Sequence, residues 1–495
     1  MGTWDVVVVG AGPVGLLLGG DLAAAGVRVA VLDRSAEPSR EPKANAVVGQ
    51  ATRLLQPRGV LVRLGQPGPP TAARVFQFGG LRLDLADLAA TPLHGVAVPQ
   101  QALERALAER AVEAGARVRR SAEVVGIDQD DRGVRLRVRA ESAVREVTAA
   151  YAAGCDGGGS TVRRLAGIGF PGVTDSTVVS RSADVVVPGG VVSPETAQAD
   201  LPGIGRIGLY GWHRTARGAY AALPRPTGSL LISVMEWDES TADTDPDGAM
   251  ELDEFTAAVR RVLGADLVVE EPTGPGPHQR RRWRGRNTRI ADSYRNGRVF
   301  LAGDAAHVHN AIGAPGLNLG LQDAANLGWR LAAAVAGRPG ALAGYDGERR
   351  IAAHRVAMHS QAQTALLAPD GGITALRALL TELLEEPAVR ARLATMLEGA
   401  DVRYPAPPGA HPLVGRFVPD GLARYLDATS PVLFDLGAAS TDVPAGIRVI
   451  SPDGATLPAR SLLVRPDGYV AWASDEDGPA AAAGLRQALD ALFGD

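Results

Sequence analysis

Three short stretches carry residues whose types and spacing suit them to hold a charged, extended ligand. In the first, Gly10, Gly12 and Gly15 form a GxGxxG pattern between four consecutive valines (6–9) and a leucine-rich segment, and Asp33 follows Gly15 by 18 residues. Glycines at that spacing permit a tight strand-to-helix turn. They also let backbone N–H groups approach a pyrophosphate, whose charge is favoured at a helix N-terminus, while the later acid binds a ribose 2′-hydroxyl. The second stretch is Asp156-Gly157, followed by Ser160 or Thr161 as a helix cap. The third is Gly303-Asp304, with Pro315-Gly316-Leu317-Asn318 downstream. Both later stretches pair an acid at the end of an apolar strand with a helix start. The first stretch by itself announces a dinucleotide and leaves NAD and FAD open.

Other candidates carry two readings each. Arg40 and Lys43, in the polar segment after Asp33, are either solvated loop charges or contacts to a pyrophosphate or ribose. Asp156 either holds its own turn or touches the ligand. His307 and His309 resemble an acid–base or metal pair, but two residues apart on a helix they share no face, so polar core or loop residues are the simpler reading. The run Gln279 to Arg286 is rich in arginine and reads as a solvated strand edge or a contact to a nicotinamide-nucleotide phosphate rather than a nucleic-acid patch. Trp212, His213, Arg214, Met235 and Trp237 either face a substrate or fill ordinary sheet core.

The elements that must position these residues follow from periodicity. Strands are predicted at 5–9 and 27–32, with a helix from Gly15 to about residue 25 and another over about 49–64. Two short strands at 74–78 and 81–85 precede a helix over 101–114 that is amphipathic at Leu103, Leu107 and Ala111. Strands at 118–125 and 134–138 follow. From about 170 to 284 short strands dominate (177–182, 204–210, 219–223, 230–237), with a helix over 252–263, as in an antiparallel-sheet domain inserted into the nucleotide domain. Helices are predicted over 341–367 and 374–397. A proline-rich link leads to a small α/β tail with strands at 432–436 and 447–450, a hairpin over 462–472 around Pro466-Asp-Gly468 and a helix over 480–493.

Composition narrows the function class. The chain has 495 residues, enough for two to four domains, with 46% apolar and 21% charged residues. A net charge of −4 gives no basis for binding nucleic acid or anionic membrane. Cys155 is the sole cysteine, so no disulfide, CxxC pair or cysteine-based zinc site forms within the chain. That fits a reducing compartment, and the expectation is a cytoplasmic protein. The longest apolar stretch, 6–20, falls short of the roughly 18–20 residues a membrane span needs and is broken by glycines.

Together the three stretches resemble the single-component flavin-dependent aromatic hydroxylases (group A flavoprotein monooxygenases), the class typified by p-hydroxybenzoate hydroxylase. The order and wide spacing of GxGxxG plus Asp33, Asp156-Gly157, and Gly303-Asp304 with Pro315-Gly316-Leu317-Asn318 carry the resemblance over about residues 1–400. In the tail, His411-Pro-Leu-Val-Gly-Arg416 and Leu463-Val-Arg-Pro-Asp-Gly468 look like the aromatic polyketide hydroxylases and rifampicin-type monooxygenases.

The resemblance implies an α/β fold. It has an FAD-binding Rossmann-like domain of glutathione-reductase type (1–75, 100–170, 285–400), an inserted antiparallel-sheet substrate domain (76–99, 171–284) and a thioredoxin-like tail (401–495) with no CxxC. It implies FAD as the resident cofactor, NADPH or NADH as transient co-substrate, and O2. It places Val14 on the pyrophosphate turn, Asp33 on the adenosine ribose with Arg34 beside it, and Arg40 or Lys43 near the phosphates. Gln100 and Val124 contact FAD, Asp304 binds the ribityl chain, and Leu317 and Asn318 present backbone to the flavin. Pro315 and Gly316 shape the flavin face, and no protein nucleophile is required. The implied reaction is hydroxylation of a bulky polycyclic aromatic through a flavin C4a-hydroperoxide, by a monomer or homodimer. Baeyer–Villiger oxygenation, antibiotic inactivation, and a flavin protein that activates no oxygen are the alternatives. Flavin halogenase is disfavoured, because Gly211-Trp-His-Arg214 lacks that family's second tryptophan.

Overall fold

The computed structural model describes residues 3–493 except 40–44, 69, 89–92, 142, 226–227, 238–249, 275, 277, 311, 314, 436–442, 444–445 and 452–456. Strand Trp4–Val9 lies at the centre of an eight-stranded sheet, paired in parallel with Val29–Leu32 on one side and Ala143–Gly154 on the other. Val299–Leu301 extends the sheet in parallel beyond Ala143–Gly154, and Arg117–Arg119 beyond Val29–Leu32. Val6, Val7 and Val8 are fully buried, as a continuous apolar run in a two-sided parallel sheet requires. The register aligns Val9 with both Leu32 and Gly154, and Gly154 with Leu301. All three candidate stretches therefore leave the carboxyl ends of neighbouring parallel strands, where open α/β sheets bind ligands.

The inserted region forms a six-stranded antiparallel sheet in the order 213–214, 219–224, 230–237, 172–185, 280–290, 307–308. Its alternation sorts the side chains onto two faces. Ala183, Val185, Tyr220, Ile232 and Val234 pack on Phe255, Ala258, Val259 and Val262 of helix Leu252–Leu263. The other face presents Val178, Ala219 and Met235 to Ile312 and Leu367. Strand His307–Val308 belongs to this sheet and follows directly on the Gly303-Asp304 turn, so one turn joins the two sheets.

The tail is a four-stranded sheet in the order 448–450, 432–435, 461–464, 470–474, covered by helix Pro479–Phe493. Two predicted helices are each divided. The segment near 49–64 forms Gln50–Leu55 and Val60–Arg63, interrupted by Gly59 at φ +69°. The segment near 374–397 forms Gly371–Leu383 and Pro387–Glu398, because Pro387 starts a new helix and its ring cannot continue the old one. Among the described residues no helix is long and apolar enough to cross a membrane.

Candidate functional site: a cofactor groove at three strand ends

The glycines of the first stretch do different work. Gly10 has φ +108°, and a Cβ there would lie 2.3 Å from the Cys155 carbonyl oxygen; at Gly15 it would lie 1.9 Å from the Gly10 carbonyl oxygen. Both positions are closed by backbone, so they set how tightly helix Pro13–Ala24 packs on the sheet. A Cβ at Gly12 would meet nothing within 4 Å. Gly12 caps the helix in an extended conformation and borders a cavity of about 180 Å³. Gly10, Asp33, Arg34, Val124 and Asp156 also line that cavity, so six of the predicted residues meet in one place. Room at Gly12, a helix N-terminus and an acid opposite fit the adenosine–pyrophosphate end of a dinucleotide.

Asp33 is fixed from both sides: its carboxylate accepts the Ala11 N–H at 2.6 Å and the Ser35 N–H at 2.8 Å. Arg34 beside it is exposed. Asp156 is committed to its own turn. It accepts the Ser160 hydroxyl at 2.5 Å and the Thr161 and Val162 N–H groups at 2.7 and 3.1 Å, while Ser160 caps the helix by accepting the Arg163 N–H. Its structural role is thus visible, and it still borders the cavity. Gln100 begins helix Gln100–Glu113 and is not among the described residues lining that cavity. Arg40 and Lys43 lie outside the described residues.

The third stretch meets the first directly. Gly303 (φ +64°) and Gly320 both face Val14: a Cβ would lie 3.1 Å from the Val14 side chain at Gly303, and 2.7 Å from it at Gly320. Asp304 stands exposed at the turn, and a Cβ on Gly316 would lie 4.0 Å from its Oδ1 and 3.2 Å from the His309 Cε1. Helix Pro315–Val335 opens here with no acidic residue in its first turn, so the positive end of its dipole stands beside Asp304. Pro315 is buried and Gly316 and Leu317 are partly exposed at that end. Asn318 is held by accepting the Val48 N–H on its Oδ1 at 2.9 Å.

Sequence reading missed the residues that hold these turns together. Arg163 stacks over Phe170 and donates to the Ala305 carbonyl at 2.8 Å, tying the second stretch to the third. Asp323, fully buried, accepts the Gly303 N–H at 2.9 Å and the His307 Nε2 at 2.7 Å. His307 is therefore a polar core residue, as the simpler reading held. Burial pushes His309 down to about 3, with the adjacent His307 working in the same direction, so it is neutral at physiological pH. Among the described residues no cluster of three or more His, Cys, Asp or Glu suits a metal ion. Met235 is sheet core, fully buried, while Trp212 and Trp237 are partly buried beside it.

A parallel sheet whose strand ends converge on one cavity, beside a glycine turn and a helix N-terminus, is the arrangement of a nucleotide-binding fold. Residues 3–360 match the family described as "FAD binding domain" and residues 411–495 the family described as "Aromatic-ring hydroxylase, C-terminal". The chain is 38% identical to a 12-dehydrotetracycline 5-monooxygenase/anhydrotetracycline 6-monooxygenase of Streptomyces rimosus, over 99% of both chains. It is 35% identical to a rifampicin monooxygenase of Streptomyces venezuelae, over 96% of both. A solved structure of an anhydrotetracycline hydroxylase from Streptomyces rimosus superposes with a TM-score of 0.81 at 34% identity, covering 100% of each chain. The chain belongs to this FAD-binding family and is an FAD-dependent monooxygenase of the aromatic-hydroxylase class.

Proposed function

We propose that this monooxygenase hydroxylates a polycyclic aromatic of the polyketide type. The observation that carries the reading is the apolar junction between the cofactor groove and the inserted sheet. Ile312, from the loop that leads into helix Pro315–Val335, packs with Val178, Ala219, Met235 and Leu367, flanked by Trp212 and Trp237. A buried apolar cluster flanked by two tryptophans and joined to the loop that enters the helix suits a flat, apolar ring system docking beside it more than a small charged phenol. The tetracycline- and rifampicin-directed names of the relatives support a substrate of that size.

Bound FAD, with NAD(P)H and O2 as co-substrates, supplies the oxygen-transfer chemistry. The chain's own residues bind and exclude. Asp33, with Gly12 and Val14 on the fingerprint turn, holds the adenosine and pyrophosphate, with Arg34 at its rim and Val124 alongside, and Gln100 contacts FAD from outside that cavity. Asp304 takes the ribityl hydroxyls. The Leu317 and Asn318 backbone and the helix dipole stabilise negative charge on the reduced ring, and Pro315 and Gly316 limit the space over its face and keep water out. The same reading divides the chain into a discontinuous FAD domain of glutathione-reductase type, a substrate sheet and a thioredoxin-like tail. It makes the enzyme cytoplasmic and monomeric or homodimeric.

The test is NAD(P)H oxidation by the purified yellow protein across a panel of aromatic polyketides and simple phenols. The reading requires faster oxidation with a polycyclic member and a product carrying one added oxygen. Stimulation by small phenols alone would overturn the substrate assignment.

A further inference from the structure

Asp323 sits at the head of a buried relay that leaves the cofactor groove and ends in the C-terminal tail. Its Oδ2 holds the Gly303 N–H and His307, and its Oδ1 accepts Arg349 Nε at 2.6 Å. Arg349, also fully buried, donates from Nη2 to the Leu319 carbonyl at 3.2 Å and from Nη1 to the Tyr404 hydroxyl at 2.7 Å. Tyr404 lies beyond the last long helix of the FAD-binding region. Its ring stacks on Tyr469 of the tail, centroids 3.9 Å apart at 20°. Its N–H donates to the Gly415 carbonyl at 2.8 Å, and the Gly415 N–H donates to Val470 at 2.9 Å. A Cβ on Gly415 would lie 2.2 Å from the Tyr404 carbonyl oxygen, so the tail fits this segment closely. Tyr469 in turn donates to Gln50 Oε1 at 3.3 Å.

We infer that the tail is part of the cofactor site, with Tyr404 a positioning residue that fixes the Gly303-Asp304 turn through Arg349 and Asp323. A guanidinium with no exposure must have its donors met. Removing the Tyr404 hydroxyl leaves Nη1 unpaired in the interior, which favours rotation of Arg349 towards another acceptor. That rotation breaks the Nε bond to Asp323, and the same carboxylate fixes the Gly303 N–H. The turn carries Asp304 and abuts Val14 of the fingerprint, so its displacement is felt by the cofactor. A second buried network, Arg465 with Glu348 and Asp467, and Asp467 with Asn326, anchors the tail to helices 315–335 and 345–367 without touching Gly303.

Two experiments test this on the full-length chain, apoprotein titrated with FAD. Tyr404→Phe keeps the stacked ring and removes only the hydroxyl, and its FAD dissociation constant should rise about tenfold, with a changed visible circular dichroism of the bound flavin. Leu485→Ala opens a hole in the separate core under helix Pro479–Phe493. It should lower the melting temperature while leaving FAD affinity within about twofold. Coupling between sites is reciprocal. FAD added to the wild-type apoprotein should therefore slow hydrogen exchange at the amides of Gly303, Tyr404 and Gly415, but not at Ala482 in the outer helix of the tail. Wild-type FAD affinity in a folded Tyr404→Phe, or unchanged exchange at Tyr404 and Gly415, overturns the inference. The exchange result decides if the variant does not fold. A wild-type chain that binds no FAD instead rejects the cofactor assignment itself.

Discussion

Gly12→Ala separates a cavity-facing glycine from glycines that the fold needs. The residue has φ −81° and ψ −179°, which alanine adopts without strain, and no protein atom lies within 4 Å of the added methyl. Removing glycine freedom from the unfolded chain stabilises by about 0.4–1 kcal/mol. In a chain of this length that moves the melting temperature by no more than about 1 °C. The methyl would project toward the cavity shared with Asp33 and Val124. Intrusion into a packed contact costs about 1–3 kcal/mol, or roughly a 5- to 150-fold loss of FAD affinity. Gly15→Ala behaves in the opposite order. Its methyl would sit 1.9 Å from a backbone oxygen, so the helix must withdraw from the strand and the apoprotein itself destabilises by about 1–3 kcal/mol or more. The assay is apoprotein melting alongside FAD titration for both variants. A Gly12→Ala apoprotein that melts like Gly15→Ala, or one that binds FAD like wild type, refutes the assignment of this turn to the cofactor.

Asp323→Ala should cost about 3–5 kcal/mol, because it strands the buried charge of Arg349; urea denaturation measures it. Burial acts to raise the Asp323 carboxyl, but Arg349 and His307 outweigh it and hold the group below the usual carboxylate range. Its stabilisation is present above the unfolded-state value and is lost as pH falls through the folded one, so the wild-type advantage over the variant should shrink in acid. Burial also lowers His309 and His359, to about 3 and about 4. Their unfolded forms take up protons that the folded forms refuse. Wild-type stability should therefore decline as pH falls from about 6.5 towards 4, and His359→Gln should flatten the profile; midpoints at several pH values check this. Gly316→Leu crowds the His309 ring and the mouth of the groove and should raise hydrogen peroxide per NAD(P)H consumed several-fold, whereas unchanged coupling counts against Gly316 shaping the flavin face.

The parts of the fold legible in the sequence are those governed by local physics. Four valines, a glycine turn and a leucine-rich helix specify the central strand and its crossover without reference to anything distant. Ser160 is readable as a cap from its own neighbourhood, and the apolar run at 230–237 marks a strand whose ends match the structure. What escaped the sequence lies in pairings across long separations. Val48 meets Asn318 across 270 positions and Arg163 meets Ala305 across 142. Asp323 and Arg349 stand 26 positions apart on separate helices, and only the packing of those helices pairs them. The breaks near 56–59 and 384–386 carry their signals in Pro57, Gly59 and Pro387, which override the helix-favouring residues on either side. For the cofactor groove, residue types marked the acids and glycines. They did not reveal that Asp33 is already engaged with backbone N–H groups, and they left open whether Asp156 is, since any acid at a strand end has that option.

The most direct measurement of the account is turnover under ¹⁸O2 with a stimulating aromatic polyketide and NAD(P)H, read by product mass. One ¹⁸O atom in the aromatic product, absent when the label is supplied as water, is the predicted result. A product with no label, or a purified chain that carries no flavin and consumes no O2, contradicts it.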